Sequence, residues 1–284
     1  MIIIEQTNIQ ALNASMVIFN AINEQSLWWI PSQKPVFDLC EEYHPTWLFI
    51  TQQSLTQSVM RAIKEYNIQV VLYGVNAPVE IQDLVKLVIV PPNIHPLIQK
   101  HIKVNSYMLH ECADIFLINK CPYDYRYESD IFYFASTLTD DILNILYRLG
   151  DMSYNLKIAG PTYVPLPEFV GYIGVEDLKK FYGSTKLVLD CNNNSALNVL
   201  ANNIMSITNL NNLYNAPHYT SDVDAVEIVD KMIQQEKLRN KIKKELKKDI
   251  LAHHTNFNRF IDISNQLQQS EWSAKATELY RQYL

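Results

Sequence analysis

The chain has 284 residues, of which 48% are hydrophobic and 19% are charged, and its formal net charge is −6. This composition excludes wholesale disorder, and the length allows two α/β domains of ordinary size. The acidic balance disfavours a broad nucleic-acid footprint but does not exclude a local basic groove. The abundance of Asn, Ile, Lys and Tyr is typical of an AT-rich genome, such as that of a low-GC bacterium or its phage.

The N-terminal segment Met1–Glu5 predicts a strand and not a secretory signal. It starts with apolar residues, but no basic region precedes them and Glu5 interrupts the run. No apolar run approaches the roughly 20 residues that span a bilayer. The cysteines are scattered without a CxxC pair, which favours a reduced, cytoplasmic protein.

The first half of the chain alternates short apolar runs with helical patterns. Strands are predicted at Met1–Glu5, Trp47–Thr51, Ile68–Tyr73, Val85–Val90 and Ala113–Ile118. Helices are predicted at Leu12–Asn23, Phe37–Tyr43, Ser54–Tyr66 and His95–Leu109. Ser54 is the predicted N-cap of its helix. The polar stretch Asn119–Ser129 connects two halves.

The same alternation is more regular from Asp130 to Thr208. The letters read SDIFYFAS, TDDILNILYRLG, NLKIAG, FVGYIGVEDLKKFYGS, TKLVLDC, NNNSALNVLANN and IMSIT. They predict strand, helix, strand, a loop with a short helix, strand, Asn-rich turn, helix and strand. Asp222–Lys248 predicts a long helical region, and His253–Gln268 and Glu271–Leu284 predict two closing helices. The predicted fold class is α/β with parallel sheets.

Two features of the second half point to a ligand site, because ligands bind parallel sheets outside the carboxyl ends of strands, often at helix N-termini. Gly160 follows the strand NLKIA, where it also fits an ordinary turn. Asn194 or Ser195 would N-cap the helix Ala196–Ala201. The free N–H groups of that helix would face a diphosphate.

Several catalytic signatures are absent from the sequence. It contains no GxGxxG, Walker loop, HExxH, paired Cys/His set or GxSxG elbow, so no metal is predicted. The histidines His44, His95, His101 and His110 are candidate general bases in the first half. None has a spacing that singles it out, and a surface histidine is the more common explanation.

The second half resembles, element for element, the donor-binding half of GT-B glycosyltransferases, and most of all their CgeB-like, spore-maturation branch. The segment His254-Thr255-Asn256-Phe257-Asn258-Arg259 is similar to the His-Thr-Tyr-x-x-Arg signature with which those proteins end. The alternative is a helix N-cap at Thr255 with Arg259 on the surface. The resemblance implies a nucleotide-sugar donor as co-substrate, no resident cofactor and an unknown acceptor. It also implies that the loops at Gly160 and Tyr172 line the donor's base and ribose.

The sequence departs from the family pattern at polar positions. Asn198 stands where the family carries a Glu that grips the donor ribose, and Asn203 stands where it carries Gly. Asn76 and Ala77 stand where an acidic turn is expected. Asn can still hydrogen-bond a hydroxyl, but it is a weaker acceptor than a carboxylate. Donor binding is therefore predicted to be weakened or altered, and Asn76, His44 and His110 remain the catalytic candidates.

The resemblance implies two Rossmann-like domains in the GT-B arrangement. Residues 1–125 form the acceptor-side domain, 126–265 the donor-side domain, and the helix in 266–284 packs back on the first. One functional hypothesis is a glycosyltransferase. Another is a catalytically inactive GT-B-like binding or structural subunit with a protein partner or a second copy, and a third is a two-lobed small-molecule binding protein. The basic run Lys237–Lys248 predicts a solvated helix face, or docking to anionic lipid or another acidic partner.

Overall fold

The computed structural model describes residues 1–6, 17–90, 104–109, 112–117, 121–190, 193–209 and 216–284. The chain divides into two compact units: unit 1 is Met1–His110 with Asn256–Leu284, and unit 2 is Glu111–Thr255. Each unit contains a sheet of parallel strands flanked by helices, so the predicted α/β class is confirmed. The assignment of an acceptor side to residues 1–125 and a donor side to 126–265 stays a prediction.

The strands, in chain order, are β1 Ile2–Glu5, β2 Ser26–Trp29, β3 Trp47–Thr51, β4 Gln69–Tyr73, β5 Val85–Val90, β6 Ser106–Met108, β7 Ser129–Phe134, β8 Leu156–Ala159, β9 Thr185–Asp190 and β10 Met205–Thr208. The helices with complete bounds are α1 Val36–Tyr43, α2 Gln57–Glu65, α3 Asp140–Gly150, α4 Val175–Ser184, α5 Asn193–Ala201, α6 Asp222–Gln234, α7 Glu236–His253, α8 Asn256–Gln266 and α9 Ser270–Arg281. Residues 17–21 are also helical. No helix in the described part of the chain is long and apolar enough to cross a membrane.

The sheet of unit 1 has six strands in the order β2-β1-β3-β4-β5-β6, and every pairing is parallel. All residues of β1 and β3 are buried, as expected for strands covered on both faces. Because β1 lies between β2 and β3, the direction of chain progression reverses between β1 and β3. This reversal marks the place where doubly wound sheets bind ligands.

Aromatic side chains pack the last two helices into unit 1. Trp272 of α9 makes edge contacts with Phe19 and Trp47, with ring centroids 4.9 and 5.5 Å apart. Phe260 of α8 lies 4.8 Å from Phe19 in the same geometry. Such pairs stabilise beyond their buried area. The segment after residue 255 therefore supplies part of the hydrophobic core around the N-terminal strands.

The sheet of unit 2 has four parallel strands in the order β10-β9-β7-β8. The predicted alternation of strands and helices from Asp130 to Thr208 is confirmed. The core side chains of β7 and β9, such as Ile131 and Leu187, pack with Ile145 of α3 and with Val229 of α6. The chain adds β8 on one side of β7 and β9 and β10 on the other, so the direction of chain progression reverses between β7 and β9. Doubly wound sheets bind ligands at the carboxyl ends of the strands at such a reversal.

Three local predictions are wrong. The strand predicted at Ala113–Ile118 is not formed by its described residues, 113–117: Ile115–Leu117 forms a 3₁₀ turn, because the Asp114 carboxylate accepts the N–H of Phe116 at 3.0 Å and folds the chain locally. Ser54 is not a helix N-cap, since α2 starts at Gln57 and Thr56 caps it. In the predicted helix His95–Leu109, residues 106–108 instead form β6, a short edge strand, while residues 91–103 lie outside the described residues.

Candidate functional site

The loop after β8 folds back onto the carboxyl end of β7. Gly160 has a φ of +147°, and a Cβ at this position would lie 2.6 Å from the carbonyl oxygen of Ala135. Thr162 donates its N–H to the same oxygen at 3.0 Å and its hydroxyl to the carbonyl of Ser136 at 3.1 Å. Backbone packing therefore requires glycine at position 160, so this predicted donor residue has a structural function of its own.

The same loop exposes an aromatic ring beside this edge of the sheet. The N–H of Gly160 donates to the carbonyl of Gly171 at 3.1 Å, which brings the far end of the loop next to β8. Tyr172 follows directly, and its exposed fraction is 78%. An exposed phenol ring at the carboxyl end of a strand is suited to stacking on a nucleotide base.

Helix α5 follows β9 at the position where the strand order reverses. It begins at Asn193, so Asn194 and Ser195 lie in its first turn, and the prediction that one of them is the N-cap is wrong. The helix starts earlier than predicted because Asn and Ser residues also adopt helical dihedrals at modest cost in a first turn. The N–H groups of a first turn have no partner within the helix, so this end can still bind an anion.

The first turns of the helices in unit 2 differ in charge. Helices α3, α4, α5 and α6 each follow a strand of the sheet in the chain. Three of them carry acidic pairs in the first turn, namely Asp140 and Asp141, Glu176 and Asp177, and Asp222 and Asp224. Helix α5 carries none. A first-turn carboxylate interacts with the positive helix end and repels a phosphate, and among these four described helices α5 alone lacks such a carboxylate.

The side chain of Asn198 in α5 has a partner within unit 2. Its Oδ1 accepts the N–H of Asp114 at 2.8 Å, and the neighbouring N–H of Ala113 donates to the carbonyl of His254 at 2.7 Å. Asn198 thus holds the segment that contains the 3₁₀ turn. At the other end of α5, Asn203 has a φ of 63° and follows the helix in a Schellman motif, so Asn adopts here the left-handed conformation that glycine favours.

The two described catalytic candidates of the first half, His44 and Asn76, lie at opposite edges of the sheet. His44 takes a left-handed conformation, with a φ of 46°, at the C-cap of α1. It precedes the amino end of β3, opposite to the edge where doubly wound sheets bind ligands. Asn76 is exposed and follows the carboxyl end of β4. His95, His101 and His110 lie outside the described residues.

A buried carboxylate at the reversal point of unit 1 was missed. Glu5 is 5% exposed and accepts hydrogen bonds from the N–H of Thr51 and the hydroxyl of Ser54, both at 2.6 Å. Gln52 Oε1 accepts the N–H of Val75 at 2.7 Å, which extends the network to the end of β4. The signal was present in the sequence, since Glu5 ends an otherwise apolar strand.

The segment similar to the family's C-terminal signature is buried. Thr255 is fully buried and Arg259 is 8% exposed, so the surface alternative for Arg259 is wrong. Arg259 Nη1 lies 3.9 Å from a carboxylate oxygen of Asp262, which also accepts the hydroxyl of Tyr107 at 3.0 Å. Burial, followed by the charge of Asp262, raises the pKa of Tyr107 above its ordinary value. Among the described residues, no group of three or more His, Cys, Asp or Glu could hold a metal ion.

Solved structures identify the fold. Anabaena HepE in complex with UDP has a TM-score of 0.63 and 10% identity, covering 94% of this chain and 99% of that one. An alpha-glucosyltransferase in complex with UDP-glucose and DNA containing an abasic site has a TM-score of 0.63 and 8% identity, covering 94% and 98%. This chain has the GT-B fold. The predicted pair of Rossmann-like domains is thereby confirmed.

The fold alone does not decide the reaction. A UDP-GlcNAc 2-epimerase from Neisseria meningitidis, bound to UDP-GlcNAc, is also similar, with a TM-score of 0.57, 9% identity and coverage of 85% of this chain and 93% of that one. Transferases and an epimerase therefore share this architecture. No protein-family model matches the chain, and no curated protein sequence matches it.

Proposed function

We propose that the protein binds a nucleotide sugar at the carboxyl edge of the unit 2 sheet and transfers its sugar to an acceptor. The observation that carries this proposal is the neutral first turn of α5, which follows β9 at the reversal point while the first turns of α3, α4 and α6 are acidic. A nucleoside diphosphate carries the negative charge that such a helix end favours. The structural neighbours bound to UDP or UDP-glucose support this choice of ligand.

Each candidate residue then has a specific role. The N–H groups of Asn194 and Ser195 hold the diphosphate, and Tyr172 stacks on the base. Gly160 shapes the loop between them. Asn198 contributes through its amide to the ribose side of the site, although its oxygen already accepts the N–H of Asp114. The chain is a divergent member of the CgeB-like branch, and the nucleotide sugar is its co-substrate with no resident cofactor.

On the acceptor side we propose Asn76 and His110 as polar groups near the reaction. Asn76 is exposed after the carboxyl end of β4. His44 is the weaker candidate, because it precedes the amino end of β3. The acceptor carries a hydroxyl or another nucleophile of unknown identity. Nucleic acid is disfavoured as acceptor by the net charge of −6.

The second candidate function is a catalytically inactive GT-B-like subunit that binds a protein partner or a second copy of the chain. It is favoured by the hydrogen bond from the N–H of Asp114 to Asn198. In the resembling family the residue at this position binds the donor ribose, whereas Asn198 makes an internal contact. It is favoured also by the neutral Asn76.

Thermal-shift measurements on the purified protein with UDP, GDP, CMP, TDP, ADP and their sugars test the proposal. A ligand that binds only the folded state raises its stability by about 2.7 kcal/mol at a hundredfold excess over its Kd. We expect one nucleotide class to raise the Tm selectively. No shift at millimolar concentrations of every nucleotide would contradict donor binding and favour the inactive subunit.

Release of free nucleotide distinguishes a transferase from an inactive donor-binding protein. Without its acceptor, an active glycosyltransferase can slowly transfer the sugar to water. Such an enzyme should therefore release nucleoside diphosphate from the bound donor. We expect release above the rate in buffer alone. Selective binding of a nucleotide sugar without release of nucleoside diphosphate, even when candidate hydroxyl acceptors are supplied, would contradict the transferase function. Donor binding alone would then remain.

A further inference from the structure

Helix α7 places its basic residues on the side opposite to its buried side. Arg239, Leu246 and Ile250 are buried. At about 100° per residue these three side chains leave the helix in nearly the same direction. The other side of the helix carries a row of exposed lysines that we name the lysine ridge: Lys237, Lys241, Lys244 and Lys248. The lysine ridge is about 60° wide and therefore points away from the core of unit 2.

Few carboxylates form ion pairs with the lysine ridge. Lys241 lies 4.0 Å from Glu245, and because both side chains are largely exposed the ion pair is weak. The other three lysines form no ion pair within the described residues. Seven basic and three acidic residues give α7 a formal charge of +4, while the whole chain carries −6, so the remainder carries −10. The positive charge is concentrated on one helix.

The shape of the lysine ridge matches a flat anionic surface. The four lysines span eleven positions, or about 16 Å of straight helix at 1.5 Å per residue. Their ammonium groups therefore lie near one plane and can approach a planar surface together. We propose that the lysine ridge docks unit 2 on a bilayer that displays anionic phospholipid headgroups. Each lysine held near such a surface strengthens binding by roughly fivefold, so four together give several hundredfold.

Nucleic acid fits the lysine ridge less well. Sites for single strands combine cations with aromatic rings that stack on bases, and α7 contains no Phe, Tyr or Trp. Phosphate recognition in duplexes favours the planar fork of Arg, but the lysine ridge has only ammonium groups.

Co-sedimentation of the full-length protein with vesicles tests this inference independently of sugar transfer. The probes are vesicles of phosphatidylcholine alone and of phosphatidylcholine mixed with phosphatidylglycerol. We expect binding to the mixed vesicles only, with loss of binding as salt shortens the Debye length from about 10 Å at 0.1 M to about 3 Å at 1 M. Replacing all four lysines of the ridge by Gln should weaken binding by several hundredfold.

A matched control variant loses four positive charges from unit 1 and keeps the lysine ridge. Four exposed cations of unit 1 are replaced by Gln together: Arg61, Lys64, Lys86 and Arg281. This variant should bind mixed vesicles nearly as tightly as the unchanged protein. The inference is overturned if mixed vesicles are not bound, if the control loses as much affinity as the ridge variant, or if the ridge variant binds mixed vesicles as tightly as the unchanged protein. Unchanged Tm values for both variants show that folding is preserved.

Discussion

Three glycines in and after the loop that follows β8 differ in what surrounds them. A Cβ at Gly160 would lie 2.6 Å from a backbone oxygen, whereas nothing lies within 4 Å of a Cβ at Gly171 or Gly174. Gly160 and Gly171 have φ values of +147° and +101°, but Gly174 has an ordinary φ of −77°. Packing and backbone strain are therefore separable at these positions.

Alanine substitutions at these glycines should form a graded series. Gly160→Ala combines strain with overlap and should lower the free energy of unfolding by about 4 kcal/mol. Gly171→Ala adds strain alone and should cost about 1–2 kcal/mol. Gly174→Ala should change the stability by less than about 0.5 kcal/mol, because Gly174 is the N-cap of α4 and the weaker capping by Ala offsets the restriction of the unfolded chain. Urea unfolding measures all three, and an equal effect of Gly160→Ala and Gly174→Ala would contradict the close backbone approach.

Asn198 illustrates how a site residue can also be a structural one. Asn198→Leu removes the acceptor of the Asp114 N–H and should cost about 2 kcal/mol. Asn198→Asp keeps an acceptor oxygen at this position and should cost less than about 1 kcal/mol. Equal losses of stability in the two variants, measured by urea unfolding, would exclude a structural function for this hydrogen bond. Loss of donor binding in Asn198→Leu would therefore not by itself prove a donor contact.

At the scale of elements, the long helical region predicted after Asp222 is two helices. The chain leaves helical geometry at Gln235, with φ of −103° and ψ of 71°. The guanidinium of Arg239 donates to the carbonyls of Met232 and Ile233 at 2.6 and 3.0 Å, so a buried cation satisfies the C-terminus of α6. This position also suits the negative end of the helix dipole.

Arg239→Met should therefore destabilise unit 2. It leaves two carbonyls without their charged donor, and we expect a loss of about 2–4 kcal/mol in the free energy of unfolding. Arg239→Lys, the matched control, keeps a cation near the same carbonyls and should lose about half as much. Circular dichroism during urea unfolding measures both. If Arg239→Met were as stable as the unchanged protein, the capping function would be wrong.

The elements that sequence patterns predicted well are those with regular periodicity and strong boundaries. Strands β7 and β9 have buried apolar centres at residues 131–133 and 187–189, and α3 follows a Thr that caps it. The failures have local physical causes. Asp114 folds its own backbone into a turn, and β6 is a short edge strand whose residues are only half-buried. The neutral N-terminus of α5 was visible in the sequence, but the internal partner of Asn198 depends on tertiary structure.

At the scale of the molecule, unit 1 is assembled from both ends of the chain. The aromatic contacts of Trp272 with Phe19 and Trp47 join the last helix to the N-terminal strands. Trp272→Ala should therefore destabilise unit 1 by about 3–5 kcal/mol, although residue 272 lies twelve positions before the last residue, Leu284. Hydrogen exchange should become faster in β1 and β3 and stay unchanged in β7 and β9. Faster exchange in both sheets would show that the two units do not open independently.

We propose that the N-terminus of α5 binds the diphosphate of the donor, and a charge placed at this helix end tests the proposal most directly. Asn194→Asp gives α5 the first-turn acid that α3, α4 and α6 already have. The matched control is Gln57→Asp, which adds the same charge to the neutral first turn of α2 in unit 1. At an effective dielectric constant of about 20, two charges about 5 Å apart repel by roughly 3 kcal/mol.

Titration calorimetry would compare the two variants, using the nucleoside diphosphate that gives the largest thermal shift. Asn194→Asp should weaken binding at least tenfold, yet its stability should stay equal or rise by about 0.5 kcal/mol, because an acid favours a helix N-terminus. Gln57→Asp should bind as the unchanged protein does. If Asn194→Asp bound the nucleotide with unchanged affinity, the diphosphate would not lie at α5 and the proposed donor site would be wrong.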